Sequence, residues 1–250
     1  MPFIRSLLFA LFLVVFTPPY TLVCFLTFPF SPLMRYRIIT GWAKTVMWFI
    51  RHLLGIRYRV IGQENIPKDR VAVMLSKHQS AWETIAYQQI FPPLCFVLKR
   101  ELMRIPFFGW GLSRVPHVAI DRKAGKDALA QVLEQGRVRL KEGFWVVIFP
   151  EGTRLAPGAS RRFKPGGAWL AQNTGVPVIP VVHNAGEFWG RDAFVKYPGE
   201  VTVSIGPAIE SDGLTAAEIN ARAESWIDAE MRRLFPHLYT QSPAEKSPDT

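Results

Sequence analysis

Cysteine is scarce in this sequence, with Cys24 and Cys95 the only two in 250 residues, each inside an apolar run. That excludes a disulfide framework and a thiolate metal cluster, and fits buried thiols in a reducing compartment. Histidine is nearly as sparse. The five (His52, His78, His117, His183, His237) form no His-x-x-x-His pair, which argues against a zinc site. Helix-turn-helix, zinc-finger and RNA-binding signatures are all absent, so the net charge of +10 does not point to nucleic acid. It points instead to an anionic membrane surface or a phosphate-bearing substrate.

Charge itself is missing from one stretch. No charged residue lies between Ser6 and Met34. A run of that length reads as a transmembrane helix, but Pro18-Pro19 divides it. A double proline removes two backbone donors and breaks a helix. The halves, Ser6–Thr17 and Tyr20–Phe30, are each too short at ~1.5 Å per residue for a ~30 Å hydrocarbon core. The expectation is a helical hairpin dipping into one leaflet, with a single kinked span as the alternative. No small-x-small cleavage site follows, which argues against a signal peptide.

From Arg35 to Gly55, apolar residues recur at helical spacing, while Arg37, Lys44 and Arg51 fall seven apart on one stripe. With Trp42 and Trp48 this reads as a basic amphipathic helix suited to an anionic lipid interface, or as a helix covering a sheet. Lysine and arginine are dense after Met34, which puts the body of the protein on the cytoplasmic side.

What is present after Gly55 is alternation. Strand-like runs fall at Tyr58–Ile61, Val71–Leu75, Cys95–Leu98, Val118–Ile120, Trp145–Phe149, Val178–Val182 and Val201–Ile205. Helical patterns fall at Trp82–Ile90, Gly125–Lys141, Gly167–Asn173 and Ala216–Phe235. This predicts an α/β domain with a mixed, largely parallel sheet flanked by helices, preceded by an N-terminal helical membrane anchor. The predicted organisation is membrane-anchoring helices over 1–55, an α/β domain over 56–240 and a disordered, Pro- and Ser-rich tail over 241–250.

Three segments carry candidate chemistry. In Leu75-Ser76-Lys77-His78-Gln79-Ser80-Ala81-Trp82-Glu83-Thr84, a histidine sits in a strand-to-helix turn, five residues before an acid in the first helical turn. On one unbroken helix that spacing would point the two side chains to different faces; the turn lets His78 fold back toward Glu83. Ser80 and Glu83 also read as a capping box, a purely structural role. In Phe149-Pro150-Glu151-Gly152-Thr153-Arg154, a buried strand ends in a glycine turn with an arginine, a local chemistry that suits a phosphate. Arg161, Arg162 and Lys164 follow. The third is Pro116-His117-Val118-Ala119-Ile120-Asp121-Arg122, a strand ending in an acid and a base; Lys99 and Arg100 end another.

In this order the segments resemble the glycerolipid acyltransferase family, and most closely its bacterial 1-acyl-sn-glycerol-3-phosphate acyltransferases. His78–Glu83 resembles the histidine-four-residues-acid block, Ile120-Asp121-Arg122 the end of the second, Phe149–Arg154 the third, and Val176–Val181 the fourth. The likeness runs from about Val60 to Gly206. Lys77 stands where the family often has Asn, Glu83 where it has Asp, and Pro116 and Ala119 where it has glycine and an aromatic residue.

The resemblance implies transfer of a fatty acyl group from acyl-CoA or acyl-carrier protein to the sn-2 hydroxyl of lysophosphatidic acid, giving phosphatidic acid. His78 would be the general base and Glu83 its partner. Arg122, Lys99, Glu151, Gly152, Thr153 and Arg154 would form the acceptor site. No metal or redox cofactor is implied. The expected location is the inner membrane with the catalytic domain on its cytoplasmic face, among membrane lipids and with no nucleic-acid partner. Acceptors such as a lyso-ornithine lipid or monoacylglycerol are the alternatives within the family, and a non-catalytic lipid-binding protein is the alternative outside it.

Overall fold

The structure, a computed structural model, describes residues 1–121 and 125–239, so Arg122 and the expected 241–250 tail lie outside the described residues. Three N-terminal helices, α1 (Pro2–Leu26), α2 (Pro32–Ile39) and α3 (Gly41–Phe49), lead through a π-helical turn into β1 (Ile56–Ile61). Then come β2 (Val73–Ser76), α4 (Trp82–Ile90), β3 (Leu94–Lys99), α5 (Phe108–Leu112) and β4 (Val118–Ile120). The chain continues with α6 (Lys126–Lys141), β5 (Trp145–Ile148), α7 (Gly166–Thr174), β6 (Val178–His183), β7 (Gly199–Ile205) and α8 (Ala216–Leu234).

The seven strands form one sheet in the order β1-β7-β6-β2-β5-β3-β4. Every pairing is parallel except β6 with β7, which is antiparallel. β2, β5 and β6 are buried along their whole length, which is why they read as unbroken apolar runs. Their side chains alternate between two layers. Met74, Val147 and Val181 pack with α3 and α4 residues such as Val46, Ile85 and Ala86. Val73, Leu75, Val146 and Ile148 pack with Val132, Leu170 and Ala223 of α6, α7 and α8. Because β2, β3, β4, β5 and β6 run the same way, their C-terminal ends share one edge. In open α/β sheets that edge is where ligands gather.

Each strand-like run and each helical pattern is found, with ends shifted by a few residues. β1 starts at Ile56 because it pairs with β7 over its whole length. The short α5 and the 3-10 turn Arg100–Arg104 had no periodic signal.

The N-terminus departs from expectation. α1 runs unbroken through Pro18 and Pro19, so the proline pair does not divide it into a hairpin. The reason is tertiary. Around the prolines, Trp42 Nε1 donates to Thr17 Oγ1 at 3.3 Å, Tyr20 Oη to the Ile38 carbonyl at 2.7 Å, and Thr21 Oγ1 to the Phe107 carbonyl at 3.0 Å. These anchors hold the chain helical where local preference alone would break it. The 35–55 stretch is likewise two helices and a final π turn rather than one helix, closed by Gly55 at φ 75°. Its stripe of Val46, Ile50 and Leu54 is buried against the domain while Trp48 is exposed.

Candidate active site

β2 ends at Ser76, and the turn that follows carries His78 before α4 begins. His78 Nδ1 lies 2.7 Å from Glu83 Oε1. That oxygen also accepts from the backbone N–H groups of Gln79 at 3.0 Å and Ser80 at 2.9 Å. One carboxylate therefore caps the start of α4 and holds the imidazole, so the structural and chemical readings of this turn coexist. An ionised carboxylate only accepts, which assigns the proton to Nδ1 and leaves Nε2 with a free lone pair. Glu83 is fully buried, while the His78 side chain keeps 19% of its surface exposed. Phe149 stacks on the imidazole with centroids 3.9 Å apart, and Phe96 stacks on Phe149 behind it.

Beside this turn lies the glycine turn after β5. Gly152 takes φ 75°, a conformation that favours glycine, and a Cβ there would meet the end of the flexible Lys164 side chain at 3.1 Å. Thr153 is half-buried in the same turn. Glu151 points inward, fully buried, with its carboxylate on the Lys77 ammonium. Arg154 Nη2 donates to Asp192 Oδ1 at 2.8 Å, and the next residue returns to the dyad, Leu155 N–H donating to the His78 carbonyl at 2.8 Å.

The remaining candidates spread along the edge. Lys99 is exposed at the end of β3, which is separated from β2 by β5. The Arg154 guanidinium is anchored on the other flank of β2, by the loop after β6. The structure ties Arg154 to the loop after β6 and leaves Lys99 at the end of β3, and Arg122 lies outside the described residues. Among the described residues no group of three His, Cys, Asp or Glu side chains is placed to hold a metal ion.

Residues 57–184, which contain the dyad and the glycine turn, match the acyltransferase family. A 1-acyl-sn-glycerol-3-phosphate acyltransferase of Pseudomonas aeruginosa is 45% identical over 238 residues, covering 93% of this chain and 92% of its own. This chain belongs to the acyltransferase family. The human 1-acyl-sn-glycerol-3-phosphate acyltransferase beta is 30% identical over 203 residues, 79% of this chain and 72% of that one. A crystal structure of a 1-acyl-sn-glycerophosphate acyltransferase from Thermotoga maritima shares the fold, with a TM-score of 0.76 at 24% identity, covering 92% of this chain and 95% of that one.

In this acyltransferase Glu83, His183 and Glu151 are buried around the dyad, and each carries a shifted pKa. Burial works to raise the Glu83 carboxyl, but His183, His78 and the Ser80 N–H outweigh it and hold it below the usual carboxylate range. Burial holds His183 below the usual imidazole range, against the pull of Glu83. Burial raises the Glu151 carboxyl, and the Lys77 ammonium opposes that rise. His117, in the third segment, is a core residue: its Nδ1 accepts from the Phe96 N–H at 3.1 Å, and burial pushes its pKa down to about 3.

Sequence reasoning passed over three of the dyad's neighbours. Phe149 read as the end of a strand and the start of the third block, with no part in the dyad, and Lys77 only as a departure from the family pattern. His183 directly follows the strand-like run Val178–Val182, and the structure makes it the last residue of β6. Its signal appears only with the strand order: a histidine ending the strand that pairs with β2 lies near His78.

Proposed function

We propose that this acyltransferase moves a fatty acyl group from a thioester, acyl-CoA or acyl-carrier protein, to the sn-2 hydroxyl of lysophosphatidic acid. The observation that carries this reading is the Nε2 of His78, left as an acceptor at the sheet edge by the 2.7 Å bond from Nδ1 to Glu83. In the reaction Nε2 takes the hydroxyl proton as the oxygen attacks the thioester carbonyl, and Glu83 stabilises the imidazolium that forms. The tetrahedral intermediate expels the thiolate, which takes up the proton from His78 or from water. The new ester is phosphatidic acid. Thiols ionise at about pH 8–9, so the leaving group needs little assistance.

Arg154 supplies the phosphate handle. Its present partner, Asp192, is 67% exposed, and a phosphate of higher charge displaces so exposed a carboxylate readily. The identity of the Pseudomonas relative over nearly the whole chain supports lysophosphatidic acid as the acceptor.

The N-terminal helix supports a membrane setting. At 25 residues and ~1.5 Å per residue, α1 is long enough to cross a bilayer. Yet Ser6 Oγ accepts from the Lys196 N–H at 2.9 Å near one end, and Thr21 meets Phe107 near the other. A helix tied to the domain at both ends lies along it. Its outer face, with Leu7, Leu11, Val14, Val15, Leu22 and Leu26, is exposed. We infer that this face rests in one leaflet on the cytoplasmic side of the inner membrane. Each buried methylene is worth about 0.8 kcal/mol, so a site held at the bilayer spares the extraction of a lysolipid into water.

The test is acyl transfer by detergent-solubilised protein, wild type against His78→Ala. Lysophosphatidic acid is offered beside a lyso-ornithine lipid and monoacylglycerol, with each donor in turn. Turnover of lysophosphatidic acid that falls by roughly 10³-fold or more in the variant is the expected result. Turnover confined to a phosphate-free acceptor would keep the base and overturn the acceptor.

A further inference from the structure

The peptide unit joining Lys77 to His78 is gripped at both of its polar groups by buried side chains from other strands. Its carbonyl accepts from His183 Nε2 at 3.1 Å. Its N–H donates to Glu151 Oε2 at 3.3 Å. His183 Nδ1 accepts from the Ala185 N–H at 3.2 Å, which assigns the His183 proton to Nε2 and makes it the donor to Lys77. His183 ends β6 and Glu151 follows β5, the two strands that flank β2, so the grip comes from both sides of the strand that delivers His78.

Glu151 is fully buried, and each of its carboxylate oxygens already has a partner. One oxygen is on the His78 N–H and the other on the Lys77 ammonium, and both side chains are buried, at 0% and 2% exposure. Lys77 Nζ makes its further bond to the Ala159 carbonyl at 3.1 Å. A carboxylate buried without a counter-charge is strongly disfavoured, and Lys77 is that counter-charge.

We propose that Glu151 and Lys77 are positioning residues for the His78 base, and that Glu151 is not an acceptor-binding group. The carboxylate fixes the His78 backbone, and the ammonium permits that carboxylate to be buried there. This refines the site described above and rests on His78 being the base.

The test compares wild type, Glu151→Gln, Lys77→Met and the double variant in detergent, varying lysophosphatidic acid at saturating donor, with thermal melts alongside. Each single variant leaves one buried charge unpaired. Displacement of the base by a fraction of an ångström is expected to lower kcat by about 10²-fold, with KM for lysophosphatidic acid within about twofold of wild type. The double variant carries neither charge of the pair, and the side-chain carbonyl of the new glutamine still accepts from the His78 N–H. Its kcat is expected to return to within about tenfold of wild type. If a single variant fails to fold, the double variant still decides. A tenfold rise in KM with kcat unchanged in Glu151→Gln, or a folded double variant no better than the singles, would overturn the proposal. Turnover that survives His78→Ala would overturn the base and this proposal together, whereas loss in His78→Ala with a KM effect at Glu151 overturns the proposal alone.

Discussion

The two ends of the site are built on opposite principles. At the base end, Glu83 is fully buried and its Oε1 takes three N–H donors, while the backbone of His78 is held at both N–H and carbonyl. At the proposed phosphate end, Arg154 is 32% exposed and has one carboxylate partner on an exposed loop, Asp192, whose own φ is +56°. Proton transfer requires fixed geometry, because small displacements of a base are costly in rate. Capture of a lipid headgroup requires partners that can exchange. On the proposed function, rigidity lies where bonds change and exchangeability where the headgroup binds.

Four measurements would break or sharpen that contrast. The largest effect is expected at the rigid end. Glu83→Gln keeps an acceptor for the α4 cap but removes the charge that stabilises the imidazolium, so kcat should fall by about 10²- to 10³-fold with KM little changed. A loss in KM instead would mean that Glu83 binds rather than activates. At the exchangeable end, Arg154→Ala should cost about 1.5–3 kcal/mol in kcat/KM for lysophosphatidic acid, mostly through KM, and little for monoacylglycerol. Equal losses on both acceptors would remove Arg154 from the phosphate.

A third measurement separates buried histidines that serve the dyad from one that serves the core. His117 is neutral in the fold, with a pKa of about 3 caused first by burial and then by Arg139. The unfolded chain protonates this residue near its ordinary value of about 6.5. Its contribution to stability is therefore present above that pH and lost as pH falls from there toward 3. The slope is up to about 1.4 kcal/mol per pH unit. His117→Asn keeps an acceptor for the Phe96 N–H but does not titrate, so the stability lost between pH 7 and pH 5 should shrink by about 2 kcal/mol in urea melts, with kcat at pH 7 unaffected. The smallest effect is expected at Asp192. Exposed ion pairs are worth about 0–1 kcal/mol, so Asp192→Asn should lower KM for lysophosphatidic acid by no more than about fivefold. A rise in KM would make Asp192 an organiser of the phosphate site rather than a placeholder in it.

Much of this architecture is legible in the amino-acid sequence. The strands were visible because burial on both faces leaves continuous apolar runs, and the dyad because its two members lie within one turn of chain. Glu151 was legible as a member of the right turn but not in its role, since nothing local says whether a carboxylate after a strand faces solvent or the neighbouring strand. Arg154 was legible as a cation near the site, whereas its partner Asp192 lies 38 residues away on another loop. Pro18-Pro19 misled because propensity describes an isolated chain, and α1 is not isolated.

The α/β class, the seven strands, the His78–Glu83 turn and the glycine at position 152 follow from local sequence, since each depends on residues within a few positions of one another. Only the tertiary structure decided that β2 lies between β5 and β6, that Lys77 meets Glu151, that His183 stands behind His78, and that α1 stays whole across two prolines. Those outcomes rest on contacts between distant segments. Their energy comes from burial and from pairing buried polar groups, which exist only once the strand order is set.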